Sequence, residues 1–491
     1  MMEKILFIIS LFISFYFLFV TVKILVEQYY SLKRMFISKL TIIKQKKSFY
    51  LSCLVFLIGG VLLYYSNQHI FGQTLIILVC YVAIIDVPLK NYYFTRRNLF
   101  LLSLSSIINT ILLYYVFYFN SFLGVLLLII ISNLSLIISF YLLMPIEYFI
   151  KEYYLNKAKR KIIENNYIVI GVTGSFGKTT TKNFIYSLLK NDFLISRQDH
   201  NYNTLMGLSK YINNEVKKED QILLIELGVD HVNSMIKFKK LFSLDYAIVC
   251  SIGEMHLATF KSLDNIAKEK LSIQNLLKEN GKLFINEEIE KNYKKYLTRN
   301  YICFGENDLV YQQDFFFSIK YCDEIIKTPL LIKKQLASLS LAIKIAESFH
   351  LSSQKIAFNI SSLEIPLRRM NSYQFHNFLI IDNSYNGNLS GIMEIISTIK
   401  KDQRKKIVIT GGLIELGNKY SSYNETLGES LNAFDLVYLI SNEKKHPLTR
   451  FLNKDKLLIT SSLKIAYEEV KKISEDSILL LLSKGSDVYL H

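Results

Sequence analysis

The chain has 491 residues, 51% of them hydrophobic, with a mean hydropathy of +0.24 and a net charge of +16. The length allows about three domains, and the hydropathy is high for a wholly soluble protein. The five cysteines show no CxxC or metal spacing, which excludes a cysteine-built metal site and marks free thiols in a reducing compartment. The positive charge does not form a nucleic-acid stripe. It falls in loops between apolar runs or on scattered helix faces, so no nucleic-acid partner is expected.

Residues 1–150 read as a membrane domain. Apolar runs at Ile5–Val26, Phe49–Ser66, Ile70–Pro88, Asn98–Phe119 and Phe122–Met144 give about five spanning helices. The first run lacks a small-residue cleavage site and reads as retained. Lys33, Arg34, Lys39, Lys44, Lys46 and Lys47 separate the first two runs, and Lys90, Arg96 and Arg97 the third and fourth. Lys151, Lys157, Lys159, Arg160 and Lys161 follow the fifth. The positive-inside rule places the N-terminus outside and everything after residue 150 in the cytoplasm, as a multi-pass cell-membrane protein. Tyr pairs near the span ends, in a chain without Trp, read as interfacial anchors. No charge lies deep in a span, which gives a transporter little support. Asn109 and Asn133, near the midplanes of neighbouring spans, are expected to hydrogen-bond to each other.

Residues 151–366 read as a nucleotide-binding domain, entered through a basic linker at Lys151–Lys161. The stretch YIVIGVTGSFGKTTTK (167–182) runs from an apolar strand through a glycine turn into a helix. That is the context a phosphate-binding loop needs. Gly174 and Gly177 let the backbone approach phosphates, and Ser175, Lys178, Thr179 and Thr180 lie at the helix N-terminus. Lys178 can reach the β- and γ-phosphates, and the Thr179 hydroxyl can ligate Mg²⁺. The spacing is not standard, because Val172 stands five residues before Gly177. Strand-like Phe193–Ser196, Gln221–Leu227 and Tyr246–Ile252 alternate with helical sequence, which predicts a parallel sheet. Glu226 ends one strand, where a carboxylate is either a Mg²⁺ ligand or a helix cap. His256 follows the next strand. Leu263–Lys282 reads as a helix, on which Lys270 is indistinguishable from surface. For Asn201 and Asn203 a substrate role and a turn role look equal.

Residues 367–491 read as a second, Rossmann-like α/β domain. Its strands are Phe378–Ile381, Lys406–Thr410, Leu436–Ile440, Leu457–Thr460 and Ile478–Leu482. It has no GxGxxG after a strand, and Pro366 reads as a hinge.

An ordered set of motifs then emerges: GVTGSFGKTTTK, NYNTLMGL (201–208), IELG (225–228), MHLATFKSLDNIAKEK (255–270), RRM (368–370), DNSYNGN (382–388), GGLIELG (411–417) and LSKGS (482–486). Over residues 165–486 the chain resembles the Mur ligase family, and within it the branch that adds D-alanyl-D-alanine to peptidoglycan precursors. The resemblance implies an ATP- and Mg²⁺-dependent carboxylate–amine ligase working through an acyl phosphate. In it Lys178 and Thr179 hold phosphate and Mg²⁺, and Glu226 and His256 surround a second Mg²⁺. Lys270 would be the carbamylated lysine, and Asn201 and Asn203 would lie near metal and substrate. Arg369 and Asp382 would touch ATP phosphate and ribose, with Tyr385, Asn386 and Asn388 on the same wall. The departures are Asn383, Leu389, Gly412, Leu413, Lys334, Ser338 and Asp487. The soluble domain that holds UDP in the family is replaced by the apolar one, so the acceptor can be lipid-linked or UDP-linked, with an amino acid or dipeptide as amine donor. Rival readings are a ligase for another envelope polymer and a degenerate membrane-tethered nucleotide-binding scaffold.

Overall fold

The computed structural model describes residues 2–27, 32, 35, 39, 47–66, 69–85, 95–198, 202–255, 257–385, 389–413, 419–441 and 446–482. It divides into two compact units, Met1–Glu152 and Tyr153–His491.

The first unit is helical: α1 (Met2–Glu27), α2 (Lys47–Tyr65), α3 (His69–Ile85), α4 (Arg96–Phe119), α5 (Ser121–Leu126) and α6 (Leu128–Asn165). Thr95 caps α4 by accepting the Asn98 N–H. Among the described residues, three helices are long and apolar enough to cross a membrane: Glu3–Val26, Arg96–Phe119 and Leu128–Asn165. Side chains such as Phe12, Ile111 and Tyr118 are exposed on these helices. The basic stretch after residue 150, expected as a linker, is helical. The 38-residue α6 runs through Pro145 and takes in every basic residue from Lys151 to Lys161. Lys151, Lys157, Lys159, Arg160 and Lys161 are all residue types that favour helix.

The expected pairing of Asn109 with Asn133 is wrong. Asn109 Nδ2 donates to Ser14 Oγ at 2.8 Å, joining α4 to α1. Asn133 turns to Lys39 Nζ at 3.0 Å and to the Ile129 carbonyl of its own helix. The Ser14 hydroxyl and the half-buried Lys39 ammonium capture the two amides. Of the loop cations counted above, Lys33, Arg34, Lys44, Lys46 and Lys90 lie outside the described residues.

The second unit holds two six-stranded sheets. The first has β1 (Ile168–Thr173), β2 (Ile195–Arg197), β3 (Ile222–Glu226), β4 (Leu244–Val249), β5 (Leu277–Asn286) and β6 (Tyr301–Phe304), in the order β2-β3-β1-β4-β5-β6. Its neighbouring strands are all parallel. Val169, Leu223, Ile225, Ala247 and Val249 face one core; Ile170, Val172, Leu224 and Ile248 face the other. A sheet buried on both faces needs such continuous apolar strands. The helix read over 263–282 is only α8 (Leu263–Leu271), a 3-10 turn, and then β5. Leu283, Phe284 and Ile285 are buried in the sheet, which outweighs the helical composition before them. A small antiparallel sheet, β7 (Val310–Gln313), β8 (Phe317–Tyr321) and β9 (Glu324–Lys327), has no counterpart in the sequence reading.

The second sheet runs β10-β11-β15-β12-β13-β14. It comprises β10 (Asn371–Phe375), β11 (Phe378–Asp382), β12 (Lys405–Thr410), β13 (Leu436–Ile440), β14 (Leu457–Thr460) and β15 (Ser477–Leu482). All neighbours are parallel except β10, which is antiparallel to β11. Leu331 and Ile332 pack into this second core.

Candidate functional site

The site grows from the carboxyl ends of β1, β3 and β4, where parallel sheets place their ligands. Register sets it out: Val172 lies beside Glu226, and Thr173 beside Val249. The loop leaving β1 turns through Gly174 (φ 153°) and Gly177 (φ 84°). A Cβ on Gly174 would sit 3.1 Å from both Cys250 Cβ and the Ser251 nitrogen. Only glycine fits that backbone so closely.

Ser251 braces the loop. Its hydroxyl accepts the Phe176 N–H at 2.8 Å, and its carbonyl accepts the Ser175 N–H at 2.9 Å. Ser175 Oγ in turn accepts the Gly253 N–H at 2.9 Å. Lys178, Thr179 and Thr180 form the first turn of α7 (Lys178–Leu189). Lys178 Nζ folds back onto the Gly174 carbonyl at 2.7 Å. Burial lowers its pKa; the Glu226 charge opposes that shift and Arg369 adds to it.

Glu226 reaches into the same corner. Its Oε2 accepts the Thr179 hydroxyl at 3.3 Å, and its Oε1 lies 2.9 Å from Lys182 Nζ. Lys270, in the last turn of α8, is 3% exposed. Burial, with the nearby Lys178 charge, brings its pKa down to about 7. The next residue back holds α8 in place: Glu269 accepts the Asn233 and Met235 N–H groups at 2.7 and 2.6 Å. Asn203 accepts the Gly228 N–H at 3.0 Å, and its side chain fills the space a Gly228 Cβ would need.

The second sheet adds a cation to this corner. Arg369 lies with its guanidinium 4.4 Å over the Tyr385 ring. Burial lowers its pKa, and Glu226 is the first charge opposing that shift. Arg369 is flanked by two left-handed residues, Arg368 (φ 62°) and Met370 (φ 60°). Asp382 ends β11 and accepts the Ser384 N–H at 3.0 Å. Asn201, His256, Asn386 and Asn388 lie outside the described residues. Among the described residues no three His, Cys, Asp or Glu side chains cluster for a metal. The oxygen donors brought together are the Thr179 hydroxyl and the Glu226 carboxylate, a hard pair that suits Mg²⁺.

Several residues at the site carried no expectation. Lys182 follows Lys178 by one helical turn, so its spacing put it on the same face. Gln198, Ser251 and Ser338 had no local signal. Ser338 accepts the Thr181 hydroxyl at 3.0 Å, and Cys250 Sγ lies 3.4 Å from that same hydroxyl. Burial pushes the Cys250 thiol up to about 11, so it stays protonated.

Residues 172–346 match the Mur ligase middle domain. That stretch is therefore a Mur ligase middle domain. The chain is 27% identical over 282 residues to the UDP-N-acetylmuramoyl-tripeptide–D-alanyl-D-alanine ligase of Bacillus subtilis, covering 55% of this chain and 62% of that one. The ligase of the same name from Buchnera aphidicola of Acyrthosiphon pisum is 28% identical over 348 residues, covering 65% and 73%. The chain therefore spans under two thirds of the Bacillus subtilis relative's length. The crystal structure of the MurF ligase from Thermotoga maritima in complex with ADP superposes with a TM-score of 0.59 at 26% identity, covering 68% of this chain and 80% of that one. A MurF structure from Acinetobacter baumannii, at 22% identity and a TM-score of 0.56 over 68% and 78%, shares the fold. The α/β sheets of the second unit thus share the fold of these MurF structures, and apolar helices precede them in the chain.

Proposed function

We propose that the chain is an ATP-dependent carboxylate–amine ligase that acts at the cell membrane on a peptidoglycan precursor. The observation that carries this reading is one cluster of charges. Lys178, Lys270 and Arg369 converge on one buried corner: Lys178 and Arg369 both feel the carboxylate of Glu226, and Lys270 feels the charge of Lys178. This excess of cations, beside a loop that admits only glycine, fits a triphosphate. The ADP in the Thermotoga maritima relative supports the same nucleotide here.

Each residue then has work to do. The Gly174–Gly177 backbone, Ser175 and Thr180 cradle phosphate, and Lys178 leaves the Gly174 carbonyl to hold the γ-phosphate. Thr179 and Glu226, with His256, would hold Mg²⁺, which would offset the charge of the triphosphate. Lys270 is a neutral amine near pH 7 and can take up CO₂; the resulting carbamate adds the missing negative charge. Arg369 and Asp382 contact nucleotide phosphate and ribose. Asn201, Asn203, Tyr385, Asn386 and Asn388 line the substrate side. A substrate carboxylate attacks the γ-phosphorus, releasing ADP and forming an acyl phosphate. The amine then attacks the acyl carbon, phosphate leaves, and an amide remains.

The relatives' printed names favour D-alanyl-D-alanine as the amine. The apolar helices favour an acceptor presented at the membrane. The test is phosphate release by the full-length protein in detergent, with ATP, Mg²⁺ and D-alanyl-D-alanine. A UDP-linked muramyl tripeptide and its polyprenyl-linked counterpart are compared as acceptors. Release that needs both partners is expected. Release stimulated only by other amino acids or polymers would move the activity to another envelope polymer, and no release with any of them would favour the scaffold.

A further inference from the structure

Lys182 has no part in the chemistry above, yet it is the best-placed cation in the corner. It is 3% exposed, one turn along α7 from Lys178 and on the same face. Its ammonium makes two contacts: Glu226 Oε1 at 2.9 Å, and the Gln198 carbonyl. Gln198, 1% exposed, returns to the same residue, because its Oε1 accepts the Glu226 N–H at 2.9 Å. The three residues form a closed loop: Lys182 grips the carboxylate of Glu226, the Gln198 side chain grips the Glu226 backbone N–H, and Lys182 grips the Gln198 backbone carbonyl. Within it the two carboxylate oxygens are divided. Oε1 belongs to Lys182, and Oε2 faces the Thr179 hydroxyl at 3.3 Å.

A buried ion pair is a poor source of stability, since desolvating both charges cancels much of their attraction. Its value lies in orientation. An ammonium is a point charge that can occupy one oxygen and leave the other free. We propose that Lys182 is a positioning residue that, with Gln198, fixes Glu226 so that Oε2 and the Thr179 hydroxyl are set in advance as a pair of Mg²⁺ ligands. This rests on the ligase reading given above. It predicts that Lys182 governs the metal-dependent part of nucleotide binding and leaves the metal-free part alone.

The experiment measures ADP affinity of the full-length protein in detergent by titration calorimetry, with Mg²⁺ and with EDTA. Wild type and Lys182→Met are compared, and thermal unfolding is followed in parallel. The expected result is that Mg²⁺ tightens ADP binding to wild type. Lys182→Met should lose at least tenfold of that gain, with metal-free affinity within twofold of wild type. Equal Mg²⁺ gain in both proteins overturns the proposal. So does an equal fall in both affinities, which is what a merely structural role gives. If Lys182→Met does not fold, Lys182→Gln and Gln198→Met carry the same test, through the charge and through the backbone anchor respectively. A wild type whose ADP binding ignores Mg²⁺ contradicts the ligase reading itself, and is thereby told apart from a failure of the Lys182 assignment alone.

Discussion

Lys178 and Lys270 are both buried amines, Lys270 feels the charge of Lys178, and the proposed ligase reading uses them differently. In that proposal Lys178 is a charge for phosphate, so Lys178→Ala should lower turnover about 10²–10³-fold, as loss of a preorganised charge contact does. Phosphate release measures it. Lys270 must be neutral to take up CO₂. Its pKa is lowered from 10.5 to about 7, so the neutral form grows as pH rises through 7. At limiting bicarbonate, activity should rise between about pH 6 and 8, and Lys270→Ala should lose it at every pH. A pH series at two bicarbonate levels checks this; a bicarbonate-independent profile would reject the carbamate. The sign for stability follows as well. Above pH 7 and up to 10.5 the unfolded chain binds the extra proton, so this group's contribution to stability increases with pH across that window. At this scale the sequence was informative where chemistry is local. Gly174, Gly177, Lys178 and Thr179 announce themselves by order, and Glu226 by ending an apolar strand. Gln198 and Ser251 do not, since their roles come from loops meeting across the sheet.

Helices and strands were legible wherever their cores are continuous. Leu436–Ile440 and Leu457–Thr460 are strands over the very residues expected. The failures have physical causes. Leu277–Asn286 begins with helix-forming residues, and sheet pairing with β4 decides against them. The antiparallel β7–β9 is short and weakly patterned. Asn109 chose Ser14 because interhelical contacts depend on rotation, which spacing alone does not give. A double-mutant cycle on Ser14→Ala and Asn109→Ala should show a coupling of about 0.6 kcal/mol. A second element-level contact is closer still. A Cβ on Gly428 would lie 2.0 Å from the Leu448 carbonyl oxygen, a backbone atom. Gly428→Ala should therefore destabilise the second sheet's domain by about 1–3 kcal/mol, read as a lower unfolding temperature by calorimetry.

Across the second unit, the two sheets are tied at several points. Leu331 and Ile332 enter the second core, Lys334 Nζ donates to Ser390 Oγ at 2.8 Å, and Lys419 pairs with Glu254 at 2.7 Å. The last pair is solvent-exposed and joins the loop after β4 to the start of the helix Tyr420–Ser430. Glu254→Gln should leave the unfolding temperature unchanged, because water screens such pairs; a clear drop would show that the two halves depend on it. The helical unit calls for a different test. The full-length chain should stay in the membrane pellet after alkaline carbonate washing, as three apolar helices of spanning length predict. The central claim, that this site activates a carboxylate by phosphorylating it, is tested most directly by isotope transfer. An acceptor carrying ¹⁸O in its carboxylate is turned over with ATP and the amine, and the released phosphate is analysed by mass spectrometry. The account predicts one ¹⁸O in each phosphate, delivered when the amine displaces the acyl phosphate. Unlabelled phosphate would mean that water, and not the carboxylate, attacks the nucleotide, and would contradict it.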